Sequence, residues 1–419
     1  MPTSTRFRTR FGLTMAVALC AAAATAQTWP GFGGPTRHFH TEAAWTSEPR
    51  ELWRRDLGFG NSGLAISEEA VFVQYRAYEN GKPSDRESIA ALRRDDGETL
   101  WSIDNDSRAR AGQEDYGGGL GPHATPIIHD GLLVALAYDG QVRCLRAQTG
   151  DVVWQLDLVE DFGARPVQFG FSASPLVLTR PDGGPTVLLQ AAGERGGLHA
   201  FELATGRHVW SSKRVAFSYA SPFLLEREGG DSWLVFPAGN EVQGLDPATG
   251  DLLWEHTLAE AGLTNIPTPL PLPGLRLALS GQGVKGSRLL ELADGSEGPS
   301  VVASWKSPRR IEYGNWVVTG NLLVGGDGVL FGLDVSTGKR LWAERGFDDA
   351  NLVVLGNGDL AVQTKDGRLR HLKVDAKGVQ VLHELQIFDH ESWTPPAFAG
   401  EVLYARSRRQ VVALSVTDP

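Results

Sequence analysis

Cysteine and methionine are almost absent from this chain of 419 residues, which contains two of each. Two cysteines cannot build the disulfide framework of many small secreted proteins, so the fold must depend on a packed core. Long hydrophobic runs are also missing, because the apolar stretch at 11–24 is shorter than the ~20 residues that span a bilayer. Basic runs are missing too, and the net charge is −10. An acidic surface repels phosphates, so we predict that the protein binds no nucleic acid and has no transmembrane segment.

The N-terminus has the pattern of an export signal. Three arginines precede the apolar stretch, and Ala24-Thr25-Ala26 offers a small-x-small cleavage pattern. We predict a signal peptide at 1–26 and a mature protein that is periplasmic or secreted. Lipid attachment at Cys20 is the alternative, although Leu19 stands where lipoprotein signals carry a small residue.

Glycine is abundant, with 50 residues, and it recurs four residues before a tryptophan, as in Gly150 and Trp154 or Gly206 and Trp210. Such a long-period repeat indicates a repeated architecture. The spacing of about 47 residues is near that of β-propeller blades. We call the last residue of each repeat its mark. Seven of the eight marks are tryptophan and one is leucine, namely Trp53, Trp101, Trp154, Trp210, Trp254, Trp305, Trp342 and Leu382.

One repeat unit predicts four strands. Apolar segments at 125–129, 132–138, 141–147 and 151–157 are separated by Asp-Gly turns and by one Thr-Gly turn. A residue on the outermost strand, such as Trp154, then faces the neighbouring unit. The single cysteine of the mature chain, Cys144, lies on the third strand, and we interpret it as a small buried residue.

The innermost strands can be located independently of the tryptophans. They start with short segments that often contain proline, which a strand start tolerates. Eight such segments occur, at 61–66, 123–128, 172–177, 219–224, 266–271, 315–320, 351–356 and 393–398. We therefore predict an all-β, eight-bladed β-propeller with four antiparallel strands per blade.

Both ends of the chain are predicted to build the last blade. The segment at 410–416 has the pattern of a third strand, but no fourth strand follows it. The segment at 50–57 has the pattern of a fourth strand, but no first three strands precede it. Pairing them closes the ring and hides sheet edges. The predicted domains are a signal peptide at 1–26, an N-terminal extension at 27–45 and the propeller at 46–419.

The repeat resembles that of the pyrroloquinoline-quinone (PQQ) propeller superfamily. The pattern small-x-(Asp/Glu)-x-x-Thr-Gly-x-x-x-Trp occurs as AFELATGRHVW, GLDPATGDLLW and GLDVSTGKRLW. Exported PQQ-like repeat proteins of environmental bacteria offer a closer likeness. It rests on Trp29-Pro30-Gly31-Phe32-Gly33-Gly34-Pro35-Thr36-Arg37 and on the segments at 169–175 and 392–406.

The resemblance implies two different functions. One subgroup, similar in size and blade number, is the propeller lipoprotein of the outer-membrane barrel-assembly machinery, a non-enzymatic scaffold. The other comprises PQQ- and calcium-dependent quinoprotein oxidoreductases of the alcohol or sugar dehydrogenase type, many with a disulfide between adjacent cysteines that this chain lacks. We expect an exported, non-catalytic binding or scaffold propeller with no cofactor. The oxidoreductase is the alternative.

Candidate ligand-binding residues lie in the loops that enter the inner strands, because these loops gather at one mouth of a propeller and loops on a rigid scaffold carry function. Aromatic side chains there are suited to stacking on a flat ligand, and arginines are suited to binding carboxylates. The candidates are His123, Gln168, Tyr219, Asn265, Arg309, Arg310, Trp316, Asp349 and Trp393. An envelope protein or a small ligand is the expected partner at this mouth, and the protein is expected to be a monomer.

Two further motifs give weaker indications of a function. The segments at 58–63 and 281–286 fit Gly-x-Gly-x-x-Gly, but a β pattern follows both, so we interpret them as propeller turns. His38 and His40 form a His-x-His pair without other ligands nearby, and we predict no metal site.

Overall fold

The computed structural model describes residues 28–79, 81–111, 113, 121–179, 183–213, 217–227, 232–258, 266–281, 286–295 and 298–418. The predicted signal peptide therefore lies outside the described residues. The chain forms eight four-stranded antiparallel sheets, and in seven of them the four strands are consecutive in sequence, from the innermost to the outermost. This is the predicted eight-bladed propeller.

The strands are short, and their bounds follow in chain order. The first eleven are β1 (Arg50–Asp56), β2 (Ala65–Ile66), β3 (Ala70–Tyr75), β4 (Tyr78–Glu79), β5 (Lys82–Pro83), β6 (Arg86–Arg93), β7 (Thr99–Asp106), β8 (Ile127–His129), β9 (Leu132–Leu136), β10 (Gln141–Arg146) and β11 (Val152–Asp157). The one described helix, α1 (Leu158–Phe162), is followed by β12 (Leu176–Leu178), β13 (Thr186–Gly193), β14 (Gly196–Glu202), β15 (His208–Ser211), β16 (Phe223–Glu226), β17 (Ser232–Ala238), β18 (Glu241–Leu245) and β19 (Leu252–Thr257). The remaining strands are β20 (Leu270–Leu272), β21 (Arg276–Gly281), β22 (Gly286–Gly295), β23 (Gly298–Ser307), β24 (Val317–Thr319), β25 (Leu322–Gly326), β26 (Val329–Asp334), β27 (Arg340–Arg345), β28 (Asn351–Val354), β29 (Leu360–Gln363), β30 (Arg368–Asp375), β31 (Gly378–Gln386), β32 (Ala397–Ala399), β33 (Val402–Arg406) and β34 (Gln410–Ser415).

Blade 1 consists of β2-β3-β6-β7, with the hairpin β4-β5 inserted, and blades 2 to 7 each take the next four strands in order. Blade 8 combines β32, β33 and β34 with β1 from the other end of the chain. In this last pair Asp56 lies opposite Gln410 and Trp53 opposite Ala413. The predicted closure of the ring is confirmed. No described helix is long and apolar enough to cross a membrane.

The Gly-x-x-x-Trp repeat links neighbouring blades at five junctions. The Trp154 ring at the edge of blade 2 packs against Gly206 of blade 3, where an added Cβ would stand 2.7 Å from the ring. Gly206 has φ +71°, a left-handed conformation that also favours glycine. The same contact joins Trp53 to Gly97, Trp101 to Gly150, Trp210 to Gly250 and Trp305 to Gly338. At these five junctions the glycine of the turn therefore makes room for the tryptophan of the preceding blade.

The position of these tryptophans is fixed by the strand register. Each lies opposite a residue of the third strand, next to a β-bulge, as Trp154 does opposite Cys144. Cys144 is fully buried, as predicted, and burial raises the pKa of its thiol to about 12. Six of the seven tryptophans are buried and Trp101 is partly exposed.

Blade 7 departs from the predicted pattern. The residue at the tryptophan position is His383, which lies opposite His371 next to the bulge, so Leu382 was the wrong choice for the eighth mark. The same bulge adjoins the tryptophan of the other blades, but in blade 7 the strand pairing continues to Asp375 and Gly378. The glycine therefore stands five residues, instead of four, before the residue that lies opposite the third strand. His371 and His383 are stacked with their Nδ1 atoms 3.2 Å apart, and His371 also contacts Asp359 at 3.1 Å.

Trp45 of the N-terminal extension supplies the aromatic ring that blade 7 lacks. Its indole stacks on His371 and His383, with ring centroids 5.0 and 5.9 Å away. Trp45 is 3% exposed and belongs to the core shared by blades 7 and 8. The extension thus fills a seam of the propeller that the repeat leaves incomplete.

The rest of the extension crosses the central axis. Trp29 pairs with Ile66 of blade 1, and the carbonyl of Phe39 accepts a hydrogen bond from Val354 of blade 7 at 2.8 Å. The Arg37 guanidinium donates to main-chain carbonyls at the inner strands of blades 3 and 4, those of Pro175 and Pro222. The described part of the extension therefore lies across one end of the channel.

Candidate functional site

A cavity of about 710 Å³ lies on the propeller axis. Its walls are formed mainly by residues that immediately precede the inner strands of the blades, so it opens where the entering loops gather. Trp29, Phe32 and Phe39 of the N-terminal extension line it as well and form its floor. The site is a funnel with one end closed by the chain itself, and its volume is within the range of small-molecule sites.

An arc of hydroxyl groups runs along the wall formed by blades 2 to 5. The Gly63 N–H donates to Thr125 Oγ1 at 3.0 Å, and the Thr125 N–H donates to Ser174 Oγ at 3.0 Å. In the same way the Ser174 N–H donates to Ser221 Oγ at 2.9 Å, and the Ser221 N–H donates to Thr268 Oγ1 at 3.0 Å. We call Thr125, Ser174, Ser221 and Thr268 the hydroxyl arc. Each link joins one blade to the next around the axis.

Asparagine replaces the hydroxyl residue between blades 6 and 7. Asn315 Oδ1 accepts a hydrogen bond from the Leu352 N–H at 2.9 Å, and Asn315 Nδ2 donates to the Leu352 carbonyl at the same distance. The amide satisfies both main-chain groups of Leu352 and holds the two blades in register. Small polar residues at this position therefore have a structural role in addition to lining the funnel.

The wall formed by blades 7 and 8 carries the charged groups of the cavity. Lys365 Nζ lies 3.7 Å from Asp349 Oδ2, and Arg408 Nη1 lies 2.6 Å from Glu391 Oε2. Trp393 stands between the two pairs, with Lys365 Nζ 4.4 Å and Arg408 Cζ 5.8 Å from its ring. Both carboxylates thus have a cation next to them, and both cations contact an aromatic ring, an arrangement that is favourable when partly desolvated.

Burial shifts the protonation of two groups in the funnel. The pKa of Asp349 is raised, first by desolvation and then by Asp348, while Lys365 opposes the shift. The pKa of Tyr219 is raised by burial, against a hydrogen bond that its hydroxyl accepts from the Phe169 N–H. Neither group has a partner that would make it a general base of the usual kind.

Four predicted ligand-binding residues line the cavity, namely His123, Tyr219, Asp349 and Trp393. They come from the loops entering blades 2, 4, 7 and 8, so the structure brings together residues up to 270 positions apart in the chain. That they bind a ligand remains a prediction.

Four other predicted residues are elsewhere. Trp316 is 1% exposed and packs edge-on against Phe331, so a stacking role is wrong for this ring. Arg310 pairs with Glu312 at 3.0 Å outside the cavity, and neither Arg309 nor Gln168 lines the wall. Trp316 follows Asn315, which lines the cavity, so alternation along the strand turns its ring to the other side. Asn265 lies outside the described residues.

Sequence reasoning missed Lys365 and Arg408 because it considered only the loops that enter inner strands. Both lie in turns between the second and third strands of blades 7 and 8, β29-β30 and β33-β34. These turns point to the same mouth in an antiparallel blade. A basic residue in such a turn is the sequence signal by which Lys365 and Arg408 could have been found.

The donor set of the cavity does not fit a calcium-bound quinone. Calcium takes six to eight oxygen ligands, several of them usually carboxylates. Asp349 and Glu391 are the described carboxylates of the cavity wall, and each is paired with a cation. Among the residues that the structure describes, no group of three or more His, Cys, Asp or Glu side chains is suited to hold a metal, His38 and His40 included. The expected absence of a cofactor remains a prediction.

A family model described as outer membrane protein assembly factor BamB matches residues 43–228 and 85–344 of the chain. Outer membrane protein assembly factor BamB of Legionella pneumophila (strain Paris) is 27% identical over 145 residues, 34% of this chain and 34% of that protein. The match therefore spans about one third of the relative's length.

Solved structures of low sequence identity share the fold. The crystal structure of BamB from Moraxella catarrhalis has a TM-score of 0.60 at 15% identity and covers 88% of this chain and 98% of its own. A europium-containing methanol dehydrogenase has a TM-score of 0.64 at 14% identity, covering 91% of this chain and 90% of its own. Because the family model matches more than half of the sequence, the chain belongs to the PQQ-like propeller family described as outer membrane protein assembly factor BamB.

Proposed function

We propose that this protein is an exported, non-catalytic scaffold propeller of the bacterial cell envelope that binds a partner protein at the funnel mouth. The observation that carries the proposal is the funnel itself. One end is closed by the N-terminal extension, and its described carboxylates are paired with Lys365 and Arg408. Such a site offers a binding surface without an evident acid–base or nucleophilic constellation.

The partner class comes from the family. The descriptions of the matching family and of the Legionella pneumophila relative name outer membrane protein assembly, so we infer a partner in that process. The exposed ring of Tyr313, with 49% of its surface accessible, stands at the funnel mouth beside Trp393 and is the natural anchor for a partner. Aromatic anchors of this kind often dominate binding energy.

A PQQ- and calcium-dependent oxidoreductase is the second candidate. The likeness to the methanol dehydrogenase supports it at the level of the fold as much as the likeness to BamB supports the scaffold. The paired carboxylates of the funnel favour the scaffold, because calcium would have to displace Lys365 or Arg408.

A binding experiment distinguishes the scaffold function from the oxidoreductase function. Mature protein is titrated calorimetrically with PQQ, with and without calcium, and then assayed for dye-linked alcohol oxidation. The scaffold proposal expects neither binding nor turnover. Tight calcium-dependent binding with turnover would instead establish the oxidoreductase.

A photo-crosslinking experiment in the producing bacterium locates the partner. A crosslinking residue replaces Tyr313 at the mouth or, as a control of similar exposure, Val302 on the outer strand β23, which is 62% exposed. We expect adducts with an envelope protein from position 313 only. Adducts from position 302 alone would show that the partner binds the blade edge and not the funnel.

A further inference from the structure

The hydroxyl arc carries hydrogen-bond donors that the protein does not use. Each of its oxygens accepts a main-chain N–H from the preceding blade, and none donates its own hydrogen to an acceptor within the described part of the chain. Thr125, Ser174 and Ser221 are only 4%, 2% and 3% exposed. These residues line the cavity, so their hydroxyl hydrogens can be donated to an acceptor placed inside it.

The position of the hydroxyl arc shows where the acceptor groups of a ligand would have to lie. All four hydroxyl residues line the funnel cavity and come from four consecutive blades, so their donors follow its wall over about half a circle. A single carbonyl or carboxylate oxygen cannot accept from all of them. The arrangement suits a molecule with several oxygen acceptors spread along one edge.

The opposite wall sets the charge of that molecule. Asp349 and Glu391 would repel an anion, Lys365 and Arg408 would repel a cation, and each pair is neutral by itself. The carboxylates accept hydrogen bonds and the two cations donate them. A neutral ligand that both donates and accepts is therefore favoured on this side.

Aromatic rings flank the space on two sides. Phe169 and Tyr219 stand at blades 3 and 4, with ring centroids 5.5 Å apart, and Tyr313 and Trp393 stand at blades 6 and 8, with centroids 5.7 Å apart. All four line the cavity. Flat apolar surfaces complement a ligand that has apolar faces as well as a polar edge.

From these three observations we propose that the funnel cavity binds a neutral saccharide. Its hydroxyl oxygens accept from the hydroxyl arc, other hydroxyls donate to Asp349 and Glu391, and the C–H faces of the sugar ring pack on the aromatic side chains. Binding involves no oxidation and no covalent step. The inference goes beyond the scaffold role and does not depend on it, since it concerns the cavity and not a partner protein.

The test uses calorimetric titration of the mature protein with cellobiose, maltotriose and N,N′-diacetylchitobiose. Glucuronic acid, PQQ and an N-acetylated, C-amidated dipeptide serve as comparison ligands. We expect at least one neutral saccharide to bind and the acid to bind more weakly. Failure of all three saccharides at millimolar concentration, or binding of PQQ or the dipeptide in their place, would overturn the proposal.

Variants locate the binding in the cavity. Ser174→Ala and Ser221→Ala each remove one donor and should weaken saccharide binding about fivefold, the effect of one lost hydrogen bond. Trp393→Ala should weaken it about tenfold or more, since it removes an aromatic face. Unchanged affinity in all three variants would contradict a site in the funnel.

A matched control separates binding from stability. Ser212 is 2% exposed, and its Oγ accepts main-chain N–H groups of Gly197 and Leu198, but it does not line the cavity. Ser212→Ala should lower the melting temperature as Ser174→Ala does and leave saccharide affinity unchanged. If Ser174→Ala does not fold, Thr268→Val is the milder variant, because this residue is only partly buried and valine keeps its shape. The same fivefold loss is expected there, and unchanged affinity would again count against the proposal.

Discussion

The ring of Trp154 lies against the backbone of Gly206, which belongs to the next blade. The indole Nε1 also donates to the carbonyl of Leu203 in that blade at 2.8 Å. One side chain therefore fills the gap between two sheets and ties them by a hydrogen bond. Because the contact recurs at four other junctions, the packing between these blades depends on the small size of the turn glycines.

Gly206→Ala should destabilise the protein through this contact. Gly131 is the matched control, because its φ of +73° is nearly the same as the +71° of Gly206 and nothing lies within 4 Å of the position of its Cβ. Both alanines carry the cost of a left-handed conformation, but only the first meets Trp154. We expect a clearly larger loss of stability in Gly206→Ala, measured by denaturant unfolding. Equal losses would show that backbone conformation alone selects glycine here.

Trp45→Ala should lower the free energy of unfolding by about 3–5 kcal/mol, the usual cost of removing a large buried aromatic side chain. The ring stacks on His371 and His383, so its effect should be coupled to theirs. In a double-mutant cycle with His383→Ala, the combined loss should be smaller than the sum of the single losses.

The control cycle for this seam combines Trp45→Ala with Trp154→Ala, two residues in different core clusters. Here the losses should add, because the two sites share no contact. Additivity in both cycles would mean that Trp45 does not complete blade 7 through the histidine pair.

Glu87→Gln should destabilise the junction of blades 1 and 2. Glu87 and Arg76 are buried with Oε1 and Nη2 2.7 Å apart, and the Tyr138 N–H of blade 2 donates to the same carboxylate at 3.1 Å. Burial raises the pKa of Glu87 to about 7, so the pair is fully charged only at higher pH. At alkaline pH, removing the carboxylate leaves Arg76 uncompensated, at a cost of about 3–5 kcal/mol.

The exposed pair of Glu79 and Arg86 gives the comparison. These side chains are about half exposed, and their charged atoms are also close, at 2.8 Å. Exposed pairs contribute little, so Glu79→Gln should leave the unfolding midpoint nearly unchanged. The expectation for Glu87 fails if both variants unfold at the same denaturant concentration.

His199 should contribute a loss of stability as the pH drops below about 6.5, because unfolding lets its buried ring take up a proton. Glu87 contributes in the opposite direction, because burial raises the pKa of its carboxyl to about 7. Desolvation lowers the pKa of His199 from 6.5 to about 4, despite the carbonyl of Ala191 near its Nε2. A lowered histidine pKa means that the folded state favours the neutral ring, so its stabilising effect is present above pH 6.5 and is lost as the pH falls toward 4. The pKa of His371 is also lowered by burial, which adds to the trend.

His199→Gln should reduce this dependence, as measured by urea unfolding at several pH values. Phe162→Leu is the control, since Phe162 packs on His199 with ring centroids 5.1 Å apart and carries no proton. It should lower stability by the same amount at each pH. A slope that is unchanged in His199→Gln would assign the acid sensitivity to other groups.

The sequence by itself determined the fold of this protein. The eight inner-strand segments, the Gly-x-x-x-Trp spacing and the unpaired strand at each end predicted eight blades and their closure, because each signal is local and repeats. The same locality placed Cys144 and seven tryptophans correctly. The longer pairing of β30 with β31, which reaches Asp375 and Gly378, shifted the eighth mark from Leu382 to His383.

Only the tertiary structure decided what the centre of the ring contains. The funnel combines side chains from loops far apart in the chain, and which of them point inward depends on the twist and register of every blade. Trp316 therefore turned out to be core, while Lys365 and Arg408 joined the cavity wall from another set of turns. The N-terminal extension, which has no repeat pattern, gained its place by packing: Trp45 fills the seam at blade 7, and Trp29 closes the floor. Contacts of this kind have no sequence period, since they join a unique segment to a repeated scaffold.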